Sequence, residues 1–475
     1  MIKFLLIILN VFFVFFTDKP EKTAPQLSER AKEQRAKWNI PTDEMDYPVS
    51  PMYLQQVTEA GGKIFHYSRW FNGATVELDD EALAKVKALT CVVDVEETRD
   101  NSGSSWWWAP WRAEKRVQES EESINILWTD EQLALYNLQP QHKAGYEGQG
   151  ILMAVCDGGF YKANTLSCFR QEQELGHFDF TDDTDGFYGS TGTHGTECLS
   201  AISGLADGYQ GAATKAEYYL MRSEEDATES PKEMDNLVVA LETADSLGVN
   251  VFSVSLGYAM FDNDDWTLKK SALDGQSTRV SRAATIAARK GMLVCVAAGN
   301  EGDDSWHTIS APADADSILT VGAVDVNGKA GSFSSYGPSA DGRVKPEVCA
   351  VGVQATLINP NGTIVTNNGT SFATPLLAGM AASLWSALPD ENAMQIRERI
   401  IRSASLYPGH DSKNQKGYGI PDAWEAYQMD IPAGLEHTDH CADRTQSTDK
   451  KIFRSGQMLI LHAGQLYDVL GRRIE

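Results

Sequence analysis

LVVALETADSLGVNVFSVSLG, residues 237–257, decides the fold. Its first half sets Leu237, Val238, Leu241 and Ala244 along one face of a helix. Gly248 stops that helix, because glycine readily takes the left-handed turn that closes one. Val249 to Ser255 follows as a strand. The same order recurs downstream: Val280, Ala283, Ala284 and Ala287 form a stripe closed by Gly291, and Met292 to Ala298 is the next strand. Upstream, Ile151 to Cys156 is an unbroken apolar run, as expected of a strand buried on both faces. Strand, helix, strand, helix, strand predicts a parallel sheet with helices on both faces. Active sites of such sheets gather at the carboxyl ends of the strands.

Four polar residues stand at those strand ends or at helix starts. Asp157 follows Ile151 to Cys156 and precedes Gly158-Gly159. Asp before Gly is ordinary turn chemistry, but at the end of a buried strand it is also placed to orient a histidine. His194 lies in Gly192-Thr193-His194-Gly195-Thr196, where Thr193 or Thr196 could cap a helix running through Leu199 and Ile202. The flanking glycines let another chain approach closely, and histidine suits a general base near neutral pH. Asn300 closes Ala297-Ala298-Gly299-Asn300-Glu301-Gly302. It reads first as a turn residue, yet its amide could donate to an oxyanion. Ser371 lies in Gly369-Thr370-Ser371-Phe372-Ala373-Thr374-Pro375, ahead of an apolar helix. A serine there is ordinarily an N-cap. Read chemically, the free N–H groups and positive end of that helix stabilise an oxyanion beside the serine. Pro375 is tolerated so early in a helix. The order Asp, His, Asn, Ser, each in a fitting context, is far more specific than any one member.

Together these stretches, with Ser255-Leu256-Gly257, resemble the subtilisin/kexin superfamily of serine proteases over about residues 126–428. The resemblance implies a doubly wound α/β fold with a largely parallel central sheet. It implies that Asp157 orients His194, that His194 is general base and then general acid, and that Ser371 is the nucleophile. Asn300 and the Ser371 N–H would form the oxyanion hole. Ser255, Leu256 and Gly257, with Ala297, Ala298 and Gly299, would pair with an extended protein or peptide substrate and line the pocket for the residue before the cut. The chemistry calls for no cofactor. Structural calcium is allowed by the resemblance, but no calcium loop matches and no ligand is assigned. Gly158 departs from the Thr or Ser of many relatives. Cys198 shares a helix face with His194, four residues earlier; its plain reading is a packed core thiol. The run Glu224-Glu225-Asp226 reads as a solvated loop, with a cation or basic substrate residues as the alternative. The rival from another class is a catalytically silent fold of this family used for binding or scaffolding. A serine esterase would need Gly-x-Ser-x-Gly and the order Ser, Asp, His.

Lys3 and the apolar run Phe4 to Phe16 predict an export signal over 1–17, too short to cross a bilayer comfortably. Residues 18–48 read as a linker. Residues 49–99 read as a small α+β unit resembling the inhibitory propeptide of these enzymes, with helices over Tyr53–Ala60 and Asp79–Leu89 and an Asn72-Gly73 turn. Residues 100–125 form a polar processing region carrying Trp106, Trp107, Trp108 and Trp111, and the peptidase body occupies 126–429. A linker over 430–450 leads to a β-hairpin of two short strands over 451–475, which resembles C-terminal sorting tails of secreted Bacteroidetes proteins. The expectation is a secreted monomeric zymogen, at the cell surface, in the periplasm or outside the cell, blocked by its own propeptide and free of the membrane once the signal is removed. A net charge of −25 over 475 residues argues against a nucleic-acid partner. The seven cysteines leave at least one unpaired and show no zinc-ligand spacing.

Overall fold

The computed structural model describes residues 9–99, 129–182, 186–189, 192–225 and 228–430, and the backbone of strands between 450 and 474. The chain divides into two compact units, Met1–Asp430 and Ile431–Glu475. The first unit opens with β1 (Asn10–Phe16), α1 (Glu29–Lys37), α2 (Pro51–Glu59), β2 (Lys63–Ser68), β3 (Gly73–Leu78), α3 (Asp80–Lys87) and β4 (Val92–Arg99). The four strands form an antiparallel sheet in the order β2-β3-β1-β4. Asp79 caps α3 through its side chain, and Asn72 takes a positive φ of 47° in the turn before β3.

Two boundaries differ from the sequence reading. The apolar run assigned to an export signal is folded here as β1, an inner strand of this sheet. Phe12, Val14 and Phe16 join the core formed with Tyr53 and Val57 of α2 and Val86 of α3. On the opposite face the Arg279 guanidinium lies 4.3 Å from the Phe13 ring centroid. A strand covered on both faces is apolar at every position, and at the start of a chain that looks like a signal sequence. Residues 18–48 are likewise no linker: they carry α1, capped by Ser28 and packed on the peptidase body. The small unit therefore begins at β1 rather than at residue 49. The processing region and its tryptophans lie outside the described residues.

The body runs α4 (Asp130–Leu135), α5 (Gln139–Lys143), β5 (Leu152–Asp157), β6 (Glu174–Asp179), α6 (Thr193–Ser203), β7 (Leu205–Ala206), β8 (Tyr209–Gln210), β9 (Glu217–Arg222), α7 (Pro231–Leu247), β10 (Val251–Val254), α8 (Arg279–Arg289), β11 (Leu293–Ala297), β12 (Leu319–Val324), β13 (Val348–Val351), β14 (Ala355–Ile358), β15 (Ile364–Asn367), α9 (Thr370–Ala387), α10 (Ala393–Arg402) and α11 (Ala423–Gln428). Seven strands form one parallel sheet in the order β13-β12-β11-β10-β5-β9-β6. Alternate side chains of β5 enter opposite layers: Met153 and Val155 pack with Leu199 of α6 and Leu376 of α9, while Leu152 and Ala154 pack with Leu237 of α7 and Val280 of α8. Gly248 closes α7 at φ 77°, as its position predicts. The chain reverses direction across the sheet at β5, with β9 on one side and β10 on the other, and a crevice opens at the carboxyl end of such a switch point. Asp157 is the last residue of β5.

The second unit is a four-stranded antiparallel sheet, β16 (Lys450–Arg454), β17 (Gln457–His462), β18 (Gln465–Asp468) and β19 (Arg473–Ile474). The expected hairpin of two strands is thus a four-stranded meander.

Candidate active site

Three glycines bring the first pair together. A Cβ on Gly195 would lie 2.2 Å from the Gly159 carbonyl oxygen, and one on Gly192 would lie 2.3 Å from Gly159 C. Only residues without a side chain let the start of α6 press this closely on the end of β5. The result places His194 Nδ1 2.8 Å from Asp157 Oδ1. Neither threonine caps α6: its N-cap is Gly192, and Thr196 donates to the Tyr161 carbonyl instead. Asp157 is 1% exposed, and its Oδ1 also accepts from Gly158 N at 2.8 Å. Asp157 Oδ2 is buried without a hydrogen-bond partner among the described residues.

Burial works against a charged His194 ring, but the adjacent Asp157 carboxylate, with a smaller contribution from Cys198, outweighs it and holds the ring's pKa well above the usual histidine value. Cys198 Sγ lies 3.8 Å from His194 Nδ1 and donates to the Ser371 carbonyl at 3.4 Å. Burial pushes that thiol up to about 11, so it stays neutral beside the pair. The shared helix face expected from the four-residue spacing is therefore real, and the thiol bridges the histidine and the serine segment.

Ser371 is the second residue of α9 and is 8% exposed. Pro375 has no N–H, so the Ser371 carbonyl lacks the bond it would receive from a residue four positions on. Side chains fill that vacancy: Ser255 Oγ donates to it at 2.7 Å, together with Cys198. The Ser371 hydroxyl donates to the Ser255 carbonyl at 3.2 Å. The Ser371 N–H lies in the first turn, where no carbonyl of the same helix can reach it.

Asn300 follows β11 and the turn at Gly299, φ 110°. Its Oδ1 accepts from Thr370 N at 2.9 Å and Thr370 Oγ1 at 3.1 Å. With its oxygen held by two donors, the exposed amide presents its NH₂ end to the cleft. Thr370 and Ser255 are positioning groups: the motif reading did not single out Thr370, and it expected Ser255 to pair with substrate, whereas its hydroxyl and carbonyl are both engaged with Ser371. Their signal is present in the adjacent Thr-Ser and Ser-Leu-Gly, but only the fold shows what they hold.

The two expected substrate segments differ in access. In the first, Gly257 is exposed, Leu256 half-buried and Ser255 buried; in the second, Ala297 and Ala298 are buried and Gly299 half-buried. Ala298 N donates to Val321 O and its carbonyl accepts from Ser310 N, so its backbone is committed to the sheet and its neighbours. Glu224 and Glu225 of the acidic run are also not solvated as expected. Glu225 is 2% exposed and paired with Arg99 and Lys232. Glu224 accepts from the Tyr258 hydroxyl at 2.6 Å and gathers with Glu229 and Glu233. Burial, then Glu224 and Glu229, holds Glu233 well above the ordinary carboxylate range, and a proton there lets three carboxylates share one place. Asp226 lies outside the described residues.

Residues 148–419 match the subtilase family, and residues 11–107 match the peptidase S8 propeptide domain of Bacteroidota. Subtilisin E of Bacillus subtilis is 28% identical over 364 residues, covering 76% of this chain and 82% of its own. Subtilisin DY of Bacillus licheniformis is 31% identical over 268 residues, 55% of this chain and 86% of its own. The crystal structure of MycP1 from Mycobacterium smegmatis shares the fold with a TM-score of 0.53 at 22% identity, over 72% of this chain and 91% of that one. With a switch-point cleft, a matching body and a propeptide domain in front of it, the chain belongs to the subtilase family and is a subtilisin-like serine endopeptidase made as a zymogen.

Proposed function

We propose that Ser371, His194 and Asp157 cleave peptide bonds through an acyl-enzyme. The observation that carries this reading is the 2.8 Å His194–Asp157 contact at the end of β5, joined through Cys198 to the serine at the start of α9. His194 Nε2 takes the Ser371 hydroxyl proton as Oγ bonds to the scissile carbonyl carbon. The carbonyl oxygen becomes an anion facing the Asn300 amide and the Ser371 N–H. His194 then gives the proton to the leaving amine as the C–N bond breaks, and water repeats the sequence on the ester. Asp157 keeps the ring in the tautomer whose Nε2 can accept. Every role falls to a side chain or backbone group of the chain itself, with no call on a cofactor.

Substrates would lie extended along Leu256–Gly257, the accessible of the two segments, and be recognised mainly through backbone hydrogen bonds. The enzyme would act as a monomer outside the cytoplasm. Support for export is the zymogen organisation, which keeps proteolysis silent until the propeptide is removed; residues 10–16 contribute to the propeptide sheet and carry no weight here.

The deciding experiment compares the full chain with Ser371→Ala. The wild type is expected to lose a front fragment ending within 100–125, to cut denatured casein and to react with a fluorophosphonate; the variant does none of these. Wild-type protein, freed of its front fragment by an added protease, that neither labels nor cuts would transfer the case to the silent binding fold.

A further inference from the structure

Two glycines mark where the segment between β1 and α2 meets the body. Gly248 ends α7 at φ 77°, and Gly291 follows α8 at φ 98°. A Cβ on Gly248 would lie 2.7 Å from Ala31 N, and one on Gly291 would lie 2.8 Å from Ile40 Cδ1. The strap 18–48 therefore sits directly on the carboxyl ends of both helices. It supplies what a helix end lacks: Ser28 N donates to Ser246 O at 2.8 Å, Ser28 Oγ to Leu247 O at 3.0 Å and Arg30 Nε to Gly248 O at 3.1 Å. The Arg30 guanidinium also suits the negative pole of α7 and reaches Asn250 Oδ1 at 2.7 Å.

Behind these contacts lies a closed charge cluster. Arg35 binds Asp46 and Asp245 at 2.8 Å each, with side-chain exposures of 5%, 0% and 3%. Arg69, at the end of β2, meets the same Asp245, and its backbone N–H donates to Glu242 at 2.9 Å. Lys290 of the body reaches back to Asp43 at 2.8 Å and Asp46 at 2.9 Å. Strap and body thus exchange cations in both directions, and removing either side leaves unpaired charge in an enclosed place.

We propose that the strap is a second foothold of the propeptide, an interaction surface on the carboxyl ends of α7 and α8 built for a guanidinium-bearing segment of this same chain. It holds the front unit in place after the connection beyond residue 99 has been cut, so that cutting and release are separate steps. This rests on the reading that the chain is cut between propeptide and body, and the test is arranged so that it needs no catalysis by the enzyme itself.

The full chain carrying Ser371→Ala receives a recognition site for an added sequence-specific protease within residues 100–125. After that protease has cut it, gel filtration follows departure of the front fragment. The parent is expected to stay associated. Ser28→Ala/Arg30→Ala should release the fragment about tenfold faster, from lost hydrogen bonds. Arg35→Ala should release it about a hundredfold faster, from a broken buried pair. Arg35→Lys, which keeps the charge and loses the two-pronged contact, should fall between. Uncut samples are melted in parallel; if Arg35→Ala fails to fold, Ser28→Ala/Arg30→Ala decides, because it touches the half-exposed edge. Release at the parent's rate from the variants, or immediate release from the parent, overturns the proposal. Failure of wild-type protein to cut itself would count against the catalytic reading alone.

Discussion

The cleft and the propeptide seam both bury charge, and they arrange it oppositely. In the cleft a single carboxylate meets a single histidine. In the seam carboxylates are doubly held: Asp245 by Arg35 and Arg69, Asp46 by Arg35 and Lys290, Glu225 by Arg99 and Lys232. Arg279 in turn is shared by Glu96 of β4 and Asp235 of α7. Charge held by two partners fixes geometry, because neither partner can move without leaving the other ion poorly compensated. This holds even though Arg35 Nη1 and Asp46 Oδ1 pair there, and Asp235 Oδ2 sits there, without a hydrogen bond among the described residues. A pair with slack leaves the histidine able to gain and lose a proton, which is what general acid–base work needs. The same carboxylate chemistry therefore serves adhesion in one place and turnover in the other.

The same substitution in the two regions should separate these roles most sharply. Asp157→Asn keeps the shape of the side chain but favours the wrong histidine tautomer, and kcat should fall by about 10⁴-fold while thermal stability barely changes. Peptide hydrolysis and a melting curve check both halves. Asp245→Asn should do the reverse. It leaves the Arg35 and Arg69 guanidiniums facing a neutral amide in an enclosed site, and should cost the uncut chain about 3 kcal/mol. Urea unfolding of the Ser371→Ala chain reads that cost. The released enzyme should keep its kcat/KM within about twofold, since Asp245 sits at the far end of α7 from its capped start. Equal losses of activity from both substitutions would break the distinction.

The sequence made the cleft legible because its parts are local. Asp157, His194, Asn300 and Ser371 each sit in a short motif at a strand end or helix start, and the glycines around His194 announced a close crossing that the structure contains. What holds those motifs to each other was not local. Thr370 grips Asn300 across 70 positions and Ser255 grips the Ser371 carbonyl across 116. The strap is further still, with Arg35 meeting Asp245 across 210 positions. A polar segment whose key charges, such as Arg35, are paired with distant partners has the same composition as a solvated linker. β1 and β5 show the complementary ambiguity. Both are unbroken apolar strands covered on both faces, but only β5 is flanked by helices and strands of its own kind, so only β5 was readable as a strand.

The smallest expected effect is a shift in pH dependence, and it tests the slack in the cleft directly. Asp157 raises the pKa of His194 above 6.5, so the ring is protonated through the mildly acidic range and cannot accept the serine proton there. kcat/KM should accordingly be low at pH 6 and rise through a midpoint above 6.5. The sign for stability is opposite. A raised folded-state pKa contributes stabilisation that is complete below the unfolded value of 6.5 and fades as pH rises through the folded one. The Ser371→Ala chain should therefore lose a small part of its urea resistance over the same interval in which the wild type gains activity, and adding His194→Gln should flatten that loss. Cys198→Ala should lower the midpoint less than Asp157→Asn does, because Asp157 is the larger of the two groups that raise the ring. A midpoint that falls further with Cys198→Ala than with Asp157→Asn, or one at or below 6.5 in the parent, would show that the Asp157 carboxylate is not what sets the histidine.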